Sequence, residues 1–256
     1  DNKDKNYGAA LPVLTVTYTG LVNGDLAPAV PPIKYTTATA SSPVGYYPII
    51  AIGAADPNYT ISYTPGVLSI LRVGLLITAD NKSKDYGAPL PTLTVTYTGL
   101  VNGNVAPATL PTIATTATAF SDAGDYPITA SGAADPNYII SYAPGILTVD
   151  PVTLLITADD KSKDYGAALP ILTVTYTGLV NGDLAPATLP TISTTAIASS
   201  PAGTYPITAI GAADPNYIIS YAPGILTVDP VTLLITAENK SMCENGSVYP
   251  YANYTV

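Results

Sequence analysis

Carboxylates, tyrosine hydroxyls and lysine amines are the reactive groups available in this 256-residue chain, because histidine is absent and Cys243 is the one cysteine. Without histidine, neither a histidine-dependent catalytic triad nor the common zinc sites can form. One thiol supplies no cluster for iron or zinc and no disulfide within the chain. The sequence therefore predicts a protein that is not an enzyme, with no catalytic, cofactor-binding or metal-binding residues and no cofactor.

Calcium is the metal that the acidic residues come nearest to binding. Asp159 and Asp160 are adjacent, and the Asp-Pro-Asn turn at residues 135–137 recurs in the other repeats. Calcium takes about six to eight oxygen ligands, whereas each of these loops offers one or two carboxylates. Because Asp and Asn also stabilise turns through hydrogen bonds to the backbone, the sequence favours turn chemistry over a calcium site.

The densest polar motif spans residues 82–87, Lys-Ser-Lys-Asp-Tyr-Gly, and its Tyr-Gly-Ala part recurs at Tyr7, Tyr86 and Tyr165. Polar residues and glycine predict a turn over residues 80–87. The motif has two interpretations, a binding site or, more simply, a turn that fixes Tyr86 against the neighbouring repeat. Lysine–asparagine isopeptide crosslinks require a lysine inside a strand core, so lysines in a turn argue against them.

Tyrosine and threonine form the other candidate ligand surface. Residues 93–98, Leu-Thr-Val-Thr-Tyr-Thr, alternate strictly, as a half-buried strand does. Exposed tyrosine rings beside hydroxyls suit stacking against sugars. We favour the simpler interpretation that Tyr97 and Tyr142 fill a core that lacks tryptophan and nearly lacks phenylalanine, because each shares a face with aliphatic residues.

Self-similarity organises the whole chain. Gly-Ala-Ala-Asp-Pro-Asn-Tyr starts at Gly53, Gly132 and Gly211, and the markers are 79 residues apart. We therefore expect four segments: repeat 1 over residues 1–72 without its opening strand, repeat 2 over 73–151, repeat 3 over 152–230, and the start of a divergent repeat 4 over 231–256.

Short strands separated by turn residues make up each repeat. An opening strand is expected over residues 75–79, with equivalents at 154–158 and 233–237, and a threonine-rich edge strand over 113–119. Pro127 predicts that the strand over 126–130 lies at an edge or begins there. Residues 138–142 and 145–149 are expected to form a closing hairpin around Pro144.

This pattern predicts an all-β fold of tandem small β-sandwich or β-grasp-like modules. The junction over residues 149–153, Val-Asp-Pro-Val-Thr, is too short for a flexible tether, and its proline stiffens it. We therefore expect the modules to be arranged as an extended rod.

The charge balance bears on partners. The net charge is −9, with eight lysines and one arginine, so the chain lacks the clustered cations that nucleic-acid binding requires. An acidic chain is also poorly suited to anionic membranes, and no apolar run is long enough to span a bilayer. We expect no nucleic-acid partner and no membrane insertion.

The strand that repeat 1 lacks at the start of the sequence is present near its end. Residues 1–6 enter repeat 1 after the place of its opening strand, whereas Thr232 to Ala237 supply an opening strand for repeat 4. Asp1 is not preceded by the basic and apolar regions of a signal peptide. Two explanations stay open: the chain is an excerpt of a longer array, or this strand completes the first repeat of a neighbouring copy by strand donation.

Residues 82–87, residues 93–103 (Leu-Thr-Val-Thr-Tyr-Thr-Gly-Leu-Val-Asn-Gly) and residues 124–128 (Gly-Asp-Tyr-Pro-Ile) resemble the MBG domain of the YGX type. The resemblance covers repeats 1 to 3. Repeat 4 departs from it, since residues 242–246, Met-Cys-Glu-Asn-Gly, stand where Lys-Asp-Tyr-Gly is expected. The resemblance implies a tandem-repeat part of a large secreted or surface-attached bacterial protein, many of which are adhesin-like, and it carries no catalytic residues.

The leading hypothesis is a structural repeat segment of an extracellular bacterial adhesin, stalk or filament, which acts as a stiff spacer or polymer subunit. Its partners would be neighbouring copies of itself or flanking repeats. The alternative is a glycan- or mucin-binding module that is repeated for avidity. Both hypotheses place the chain outside the cell or on its surface.

Overall fold

The computed structural model describes residues 1–237, and this part of the chain is built from strands without a helix. Repeat 1 contains β1 (Lys3–Asn6), β2 (Ile33–Thr36), β3 (Gly45–Ile52) and β4 (Gly66–Leu71). Repeat 2 contains β5 (Val73–Ala79), β6 (Lys82–Asp85), β7 (Val95–Thr98), β8 (Thr112–Thr115), β9 (Gly124–Ser131), β10 (Tyr138–Ala143) and β11 (Gly145–Asp150). Repeat 3 contains β12 (Val152–Ala158), β13 (Lys161–Asp164), β14 (Val174–Thr177), β15 (Thr191–Thr194), β16 (Gly203–Ile210), β17 (Tyr217–Ala222) and β18 (Gly224–Asp229). The prediction of an all-β fold is confirmed.

The strands belong to two compact units. One unit comprises residues 1–154, 178–189 and 212–219, and the other comprises residues 155–177, 190–211 and the described residues from 220 onward. No helix of the length and apolarity needed to cross a membrane occurs within residues 1–237.

Each repeat contains a four-stranded sheet. In repeat 2 the strand order is β6-β11-β9-β8, in which β6 and β11 are parallel and the other pairs are antiparallel. Repeats 1 and 3 have the same arrangement. The threonine-rich strand β8 lies at the edge of this sheet, as predicted. Ala79, Ala117, Ile128 and Leu147 are buried beneath it and form a small core.

Repeats 2 and 3 also contain a three-stranded sheet, with the orders β10-β5-β7 and β14-β12-β17. The opening strand β5 lies in the middle, parallel to β10 and antiparallel to β7. Its alternation buries Leu75 and Ile77 completely. The predicted opening strands at 75–79 and 154–158 are therefore confirmed as the centres of these sheets.

The predicted closing hairpin is wrong. β10 and β11 are consecutive, but β10 pairs with β5 in one sheet and β11 pairs with β6 and β9 in the other. The chain changes sheets at Gly145, where a Cβ atom would lie 2.4 Å from the carbonyl oxygen of Ala79. Only glycine permits this approach, so Pro144-Gly145 marks a crossover between sheets and not a hairpin turn.

Two further strand predictions are corrected. Residues 82–85 form strand β6 and not part of a turn, because Lys84 can bury its stem while its ammonium group finds backbone acceptors. Pro127 lies in the interior strand β9 and not at an edge. The neighbouring strand β8 pairs with β9 only as far as Ile128, so Pro127 has a paired strand on one side only.

The predicted opening strand at residues 233–237 is not a strand in the structure. Leu233 and Ile235 are 78% and 81% exposed, whereas their equivalents Leu154 and Ile156 are fully buried. The difference arises because no described strand flanks this segment. The divergent motif of repeat 4 at residues 242–246, with Cys243, lies outside the described residues.

Candidate functional site at the repeat junctions

The tyrosine of the Tyr-Gly-Ala motif is buried wherever a following repeat covers it. Tyr7 and Tyr86 are 7% and 5% exposed, whereas Tyr165, which no described residue of a following repeat covers, is 48% exposed. Tyr7 packs edge-on against Tyr138 of repeat 2, with ring centroids 5.7 Å apart. Tyr86 packs in the same way against Tyr217 of repeat 3, at 5.6 Å. The interpretation that the motif fixes its tyrosine against the neighbouring repeat is thus confirmed.

The paired tyrosine hydroxyls share one polar partner from the later repeat. At the second junction Tyr86 and Tyr217 both donate to Oδ2 of Asp183, at 3.0 and 2.7 Å. At the first junction the equivalent residue is Asn104, whose Nδ2 donates to the hydroxyls of Tyr138 and Tyr7, at 3.0 and 3.4 Å. Either an amide or a carboxylate can therefore bind both tyrosine hydroxyls at this position.

Burial and the shared carboxylate change the acidity of these hydroxyls. Burial, together with the hydrogen bond to Asp183, raises the pKa of Tyr217 to about 12. A hydrogen bond from Asn181 lowers the pKa of Tyr86, but burial and Asp183 outweigh it, so that this pKa is also raised. Both hydroxyls thus remain protonated donors at neutral pH.

A glycine and a valine make the closest approach between repeats. A Cβ atom on Gly87 would lie 2.9 Å from Cγ2 of Val180, and one on Gly8 would lie 2.8 Å from Cγ2 of Val101. Gly87 also has a φ of +79°, a conformation that strains other residues. The motif therefore needs glycine for two reasons: the turn, and the space that the valine of the next repeat occupies.

At each junction an asparagine side chain of the later repeat accepts a hydrogen bond from a backbone N–H of the preceding repeat. Oδ1 of Asn137 accepts the backbone N–H of Val44 at 2.9 Å, and Oδ1 of Asn216 accepts that of Ala123 at 2.7 Å. The predicted turn at residues 135–137 is correct, since the N–H of Asn137 donates to the Asp135 carboxylate. Its junction role was missed, although the recurrence of Pro-Asn-Tyr every 79 residues was a signal for it.

The chain itself passes from one repeat to the next with almost no linker. A single residue, Arg72, separates β4 from β5, and Pro151 separates β11 from β12. At the first junction one hydrophobic cluster contains Tyr7 and Leu68 of repeat 1 together with Leu75 and Tyr138 of repeat 2. Repeats 1 and 2 thus share a core as well as polar contacts.

Comparison with protein families matches residues 1–69, 75–148 and 154–227 to the MBG domain (YGX type). The chain belongs to this family. No curated protein matches it. The Tyr-Gly-Ala turn of each MBG repeat matches the family's YGX description, and in repeats 1 and 2 its tyrosine packs on the next repeat.

A buried lysine supports the YGX turn in each MBG repeat. Lys84 is 7% exposed, and its Nζ donates to the carbonyl oxygens of Ala88 and Ala119, both at 3.1 Å. Lys5 and Lys163 make the equivalent contacts. Burial lowers the pKa of Lys5. The prediction that these lysines lie in turns is wrong, and the alternation of Lys-Ser-Lys-Asp was the signal for a strand that buries one lysine.

The adjacent carboxylates of Asp159 and Asp160 accept hydrogen bonds from residues that are distant in the sequence. Asp159 accepts from the hydroxyls of Thr173 and Thr175, and Asp160 accepts the backbone N–H of Ile225. Hydrogen bonds from these threonines lower the pKa of Asp159. Within residues 1–237 no three His, Cys, Asp or Glu side chains are grouped so that they could hold a metal ion. Asp159 and Asp160 thus bind separate segments of the repeat, whereas Asp135 accepts the N–H of Asn137 within its own turn.

The two tyrosines considered for sugar stacking lie in different environments. Tyr97 is partly buried against the cluster shared by repeats 1 and 2, which agrees with the core interpretation. Tyr142 is 39% exposed, and its hydroxyl accepts the N–H of Ala133 at 2.8 Å. The prediction that Tyr142 fills the core is therefore wrong, and this tyrosine is the more exposed of the two.

Proposed function

We propose that this chain is a stiff spacer segment of an extracellular bacterial adhesin, stalk or filament. The observation that carries the proposal is the recurrence of one set of contacts at both described junctions. Each junction contains an edge-on tyrosine pair, a shared amide or carboxylate, a valine against a glycine and an asparagine on the backbone of the preceding repeat.

These contacts oppose bending in different ways. An aromatic pair stabilises by about 0.5–1.5 kcal/mol beyond its area burial, and each hydrogen bond contributes about 0.5–1.5 kcal/mol. A bend at the junction would break several of them together. With one residue between β11 and β12, the chain has no slack with which to move a repeat while keeping them.

The role requires no chemistry, so the proposed protein is not an enzyme. Its extracellular or cell-surface location is supported by the resemblance of the tandem repeats to those of secreted or surface-attached bacterial proteins.

Distance measurements between spin labels on the first and third repeats test the stiffness. Tyr46→Cys and Thr204→Cys place labels on β3 and β16, in a Cys243→Ser background that removes the natural thiol. We expect one narrow distance distribution, which broadens when Tyr86→Ala is added. The proposal would be contradicted if the labelled chain with Tyr86 intact gave a distance distribution as broad as that of a flexible linker.

Recurring exposed rings favour a second candidate, glycan binding. Tyr63, Tyr142 and Tyr221 occupy equivalent positions and are 44%, 39% and 37% exposed. A row of equivalent rings would bind a repetitive glycan by avidity. A glycan array probed with the full chain and with a triple Tyr→Ser variant of these residues tests this. Selective binding that the triple variant loses would favour glycan recognition over a pure spacer.

A further inference from the structure

The first two strands of repeat 2 lie beside its last two strands and run in the same direction. β5 pairs in parallel with β10 over six residues, and Val73 lies opposite Tyr138. β6 pairs in parallel with β11 over four residues, and Lys82 lies opposite Leu147. In both pairs the partners are therefore 65 residues apart in the sequence. The two pairs share one register, although they belong to different sheets.

The register also continues across the step between the two sheets. We call residues 73–85, which contain β5 and β6, the entry segment, and residues 138–150, which contain β10 and β11, the exit segment. At the step, Oδ1 of Asn81 accepts the backbone N–H of Ile146 at 2.8 Å, and this pair is again 65 residues apart. The close approach at Gly145 keeps the two segments side by side there.

The same arrangement recurs in the other two repeats. β1 is parallel to β4, and β13 is parallel to β18, in the register of β6 and β11. The equivalents of Asn81 are Asn2, which accepts the N–H of Val67 at 2.8 Å, and Asp160, which accepts that of Ile225 at 2.7 Å. The contact at the step therefore requires an acceptor oxygen, which an amide or a carboxylate supplies.

The chain enters and leaves repeat 2 at opposite ends of this register. It enters at Val73, beside Tyr138, and it leaves at Asp150, beside Asp85. Tension along the chain would therefore pull the entry segment backwards and the exit segment forwards. The two segments could separate only by sliding past each other, so the hydrogen bonds of the whole register would be loaded together.

Buried side chains exclude water from both segments. Leu75 and Ile77 of the entry segment are fully buried, and so is Leu147 of the exit segment, while Val149 is 1% exposed. Hydrogen bonds are stronger in such a setting than in water, and water has little access to replace them when they are strained. The bonds that tension would load are therefore also protected ones.

We propose that the entry and exit segments form a tension clamp, which lets a repeat transmit a pulling force along an array without unfolding. A single hydrogen bond adds little net stability, so resistance to force depends on loading many bonds at once. The evenly spaced bonds of a parallel pair distribute that load. The clamp deepens the proposed spacer role and rests on it, because a spacer that connects two bodies is pulled along its length.

Pulling on repeat 2 in two directions tests the clamp. In a Cys243→Ser background of the full chain, Arg72→Cys with Pro151→Cys places handles at opposite ends of the register. Arg72→Cys with Pro136→Cys places both handles at one end, where the bonds would break one after another. The residues replaced for the handles are exposed. Single-molecule force measurements should give an unfolding force about twofold or more higher for the first pair of handles.

A substitution at the step provides a second test. Asn81→Ala removes the acceptor of the Ile146 N–H, so it should lower the unfolding force for handles at opposite ends. It should leave the force unchanged for handles at one end, because the bonds near Val73 break first there. Asn81→Asp is the matched control and should retain the force in both directions, since Asp160 makes the same contact in repeat 3.

Two results would overturn the clamp: equal unfolding forces in the two directions, or a loss for Asn81→Ala that is the same in both. The second result would show that the substitution destabilises the repeat without weakening a loaded contact. These forces concern the interior of repeat 2, whereas the spin-label distances concern bending at the junctions. The spacer role would therefore survive either result.

Discussion

The ring of Tyr86 stands edge-on to the ring of Tyr217, with an interplanar angle of 83°, and the two hydroxyls donate to the same oxygen of Asp183. One residue pair therefore joins two repeats by ring packing and by a shared acceptor. Because both hydroxyls donate to one partly buried carboxylate, the junction depends on the protonation of both hydroxyls, and its strength becomes a function of pH.

High pH should weaken the second junction through Tyr217. Its pKa is about 12 when folded, against an ordinary value near 10, so the folded chain holds a proton that the unfolded chain releases. The stabilisation is complete below about pH 10 and is lost as the pH rises towards 12. Denaturation at pH 9 and at pH 11 should show a smaller decline for Tyr217→Phe than for the wild type. An equal decline in both would contradict the assignment.

Asp183→Asn should separate the packing of the junction from its pH dependence. The amide reproduces Asn104 of the first junction, so we expect the free energy of unfolding to change by about 1 kcal/mol or less. The pKa of Tyr217 should fall, since the hydrogen bond and the charge of Asp183 both raise it. The difference in tyrosinate absorbance between this variant and the wild type measures the change. An unaltered titration would show that burial alone sets the acidity.

Gly87→Ala should destabilise the chain more than Gly166→Ala does. Both glycines have positive φ, +79° and +82°, so each substitution costs about 1–2 kcal/mol in backbone strain. Only Gly87 faces Val180, and overpacking there adds about 1–3 kcal/mol. No atom of the described chain lies within 4 Å of the Cβ position at Gly166. Chemical denaturation measures the free energy of unfolding of the two variants. Equal losses would mean that Val180 can move aside at no cost.

Tyr86→Ala should cost about 3 kcal/mol or more, as the truncation of a large buried aromatic side chain does. Tyr165→Ala is the matched control in the same motif, and its 48% exposure predicts a change within about 0.5 kcal/mol. Denaturation should be followed at low protein concentration, so that contacts between copies do not contribute. A large loss for Tyr165→Ala under those conditions would show that the tyrosine stabilises its own repeat.

Lys84→Met should expose the role of the buried ammonium group. The thioether fills the space of the stem but leaves the carbonyl oxygens of Ala88 and Ala119 without their donor, at a cost of about 1–3 kcal/mol. Lys82→Met, on the same strand, should change the stability by about 0.5 kcal/mol or less. Hydrogen exchange of the Ala88 amide should accelerate only in the first variant. Unchanged exchange there would mean that the YGX turn holds its shape without the lysine.

The sequence predicted the parts that depend on local pattern. Alternation at residues 93–98 identified strand β7, and the Asp-Pro-Asn residues identified a real turn. The contact of Tyr86 with the next repeat followed from the recurrence of a motif too regular for chance. By contrast, Lys84 and Pro127 were misplaced, because each residue type usually avoids the position it takes here, and only distant partners make that position acceptable.

The sequence alone determined the 79-residue period, the strand alternation at residues 93–98 and the Asp-Pro-Asn turns, because these follow from neighbouring residues and their preferences. The tertiary structure decided which strands pair and which residues from separate repeats meet, since Tyr86 and Asp183 are brought together only by the packing of many strands. The heptapeptide Val-Thr-Leu-Leu-Ile-Thr-Ala shows the difference. It is a buried strand at Val152–Ala158, where β14 and β17 flank it, whereas at residues 231–237 no described strand flanks it and it is exposed.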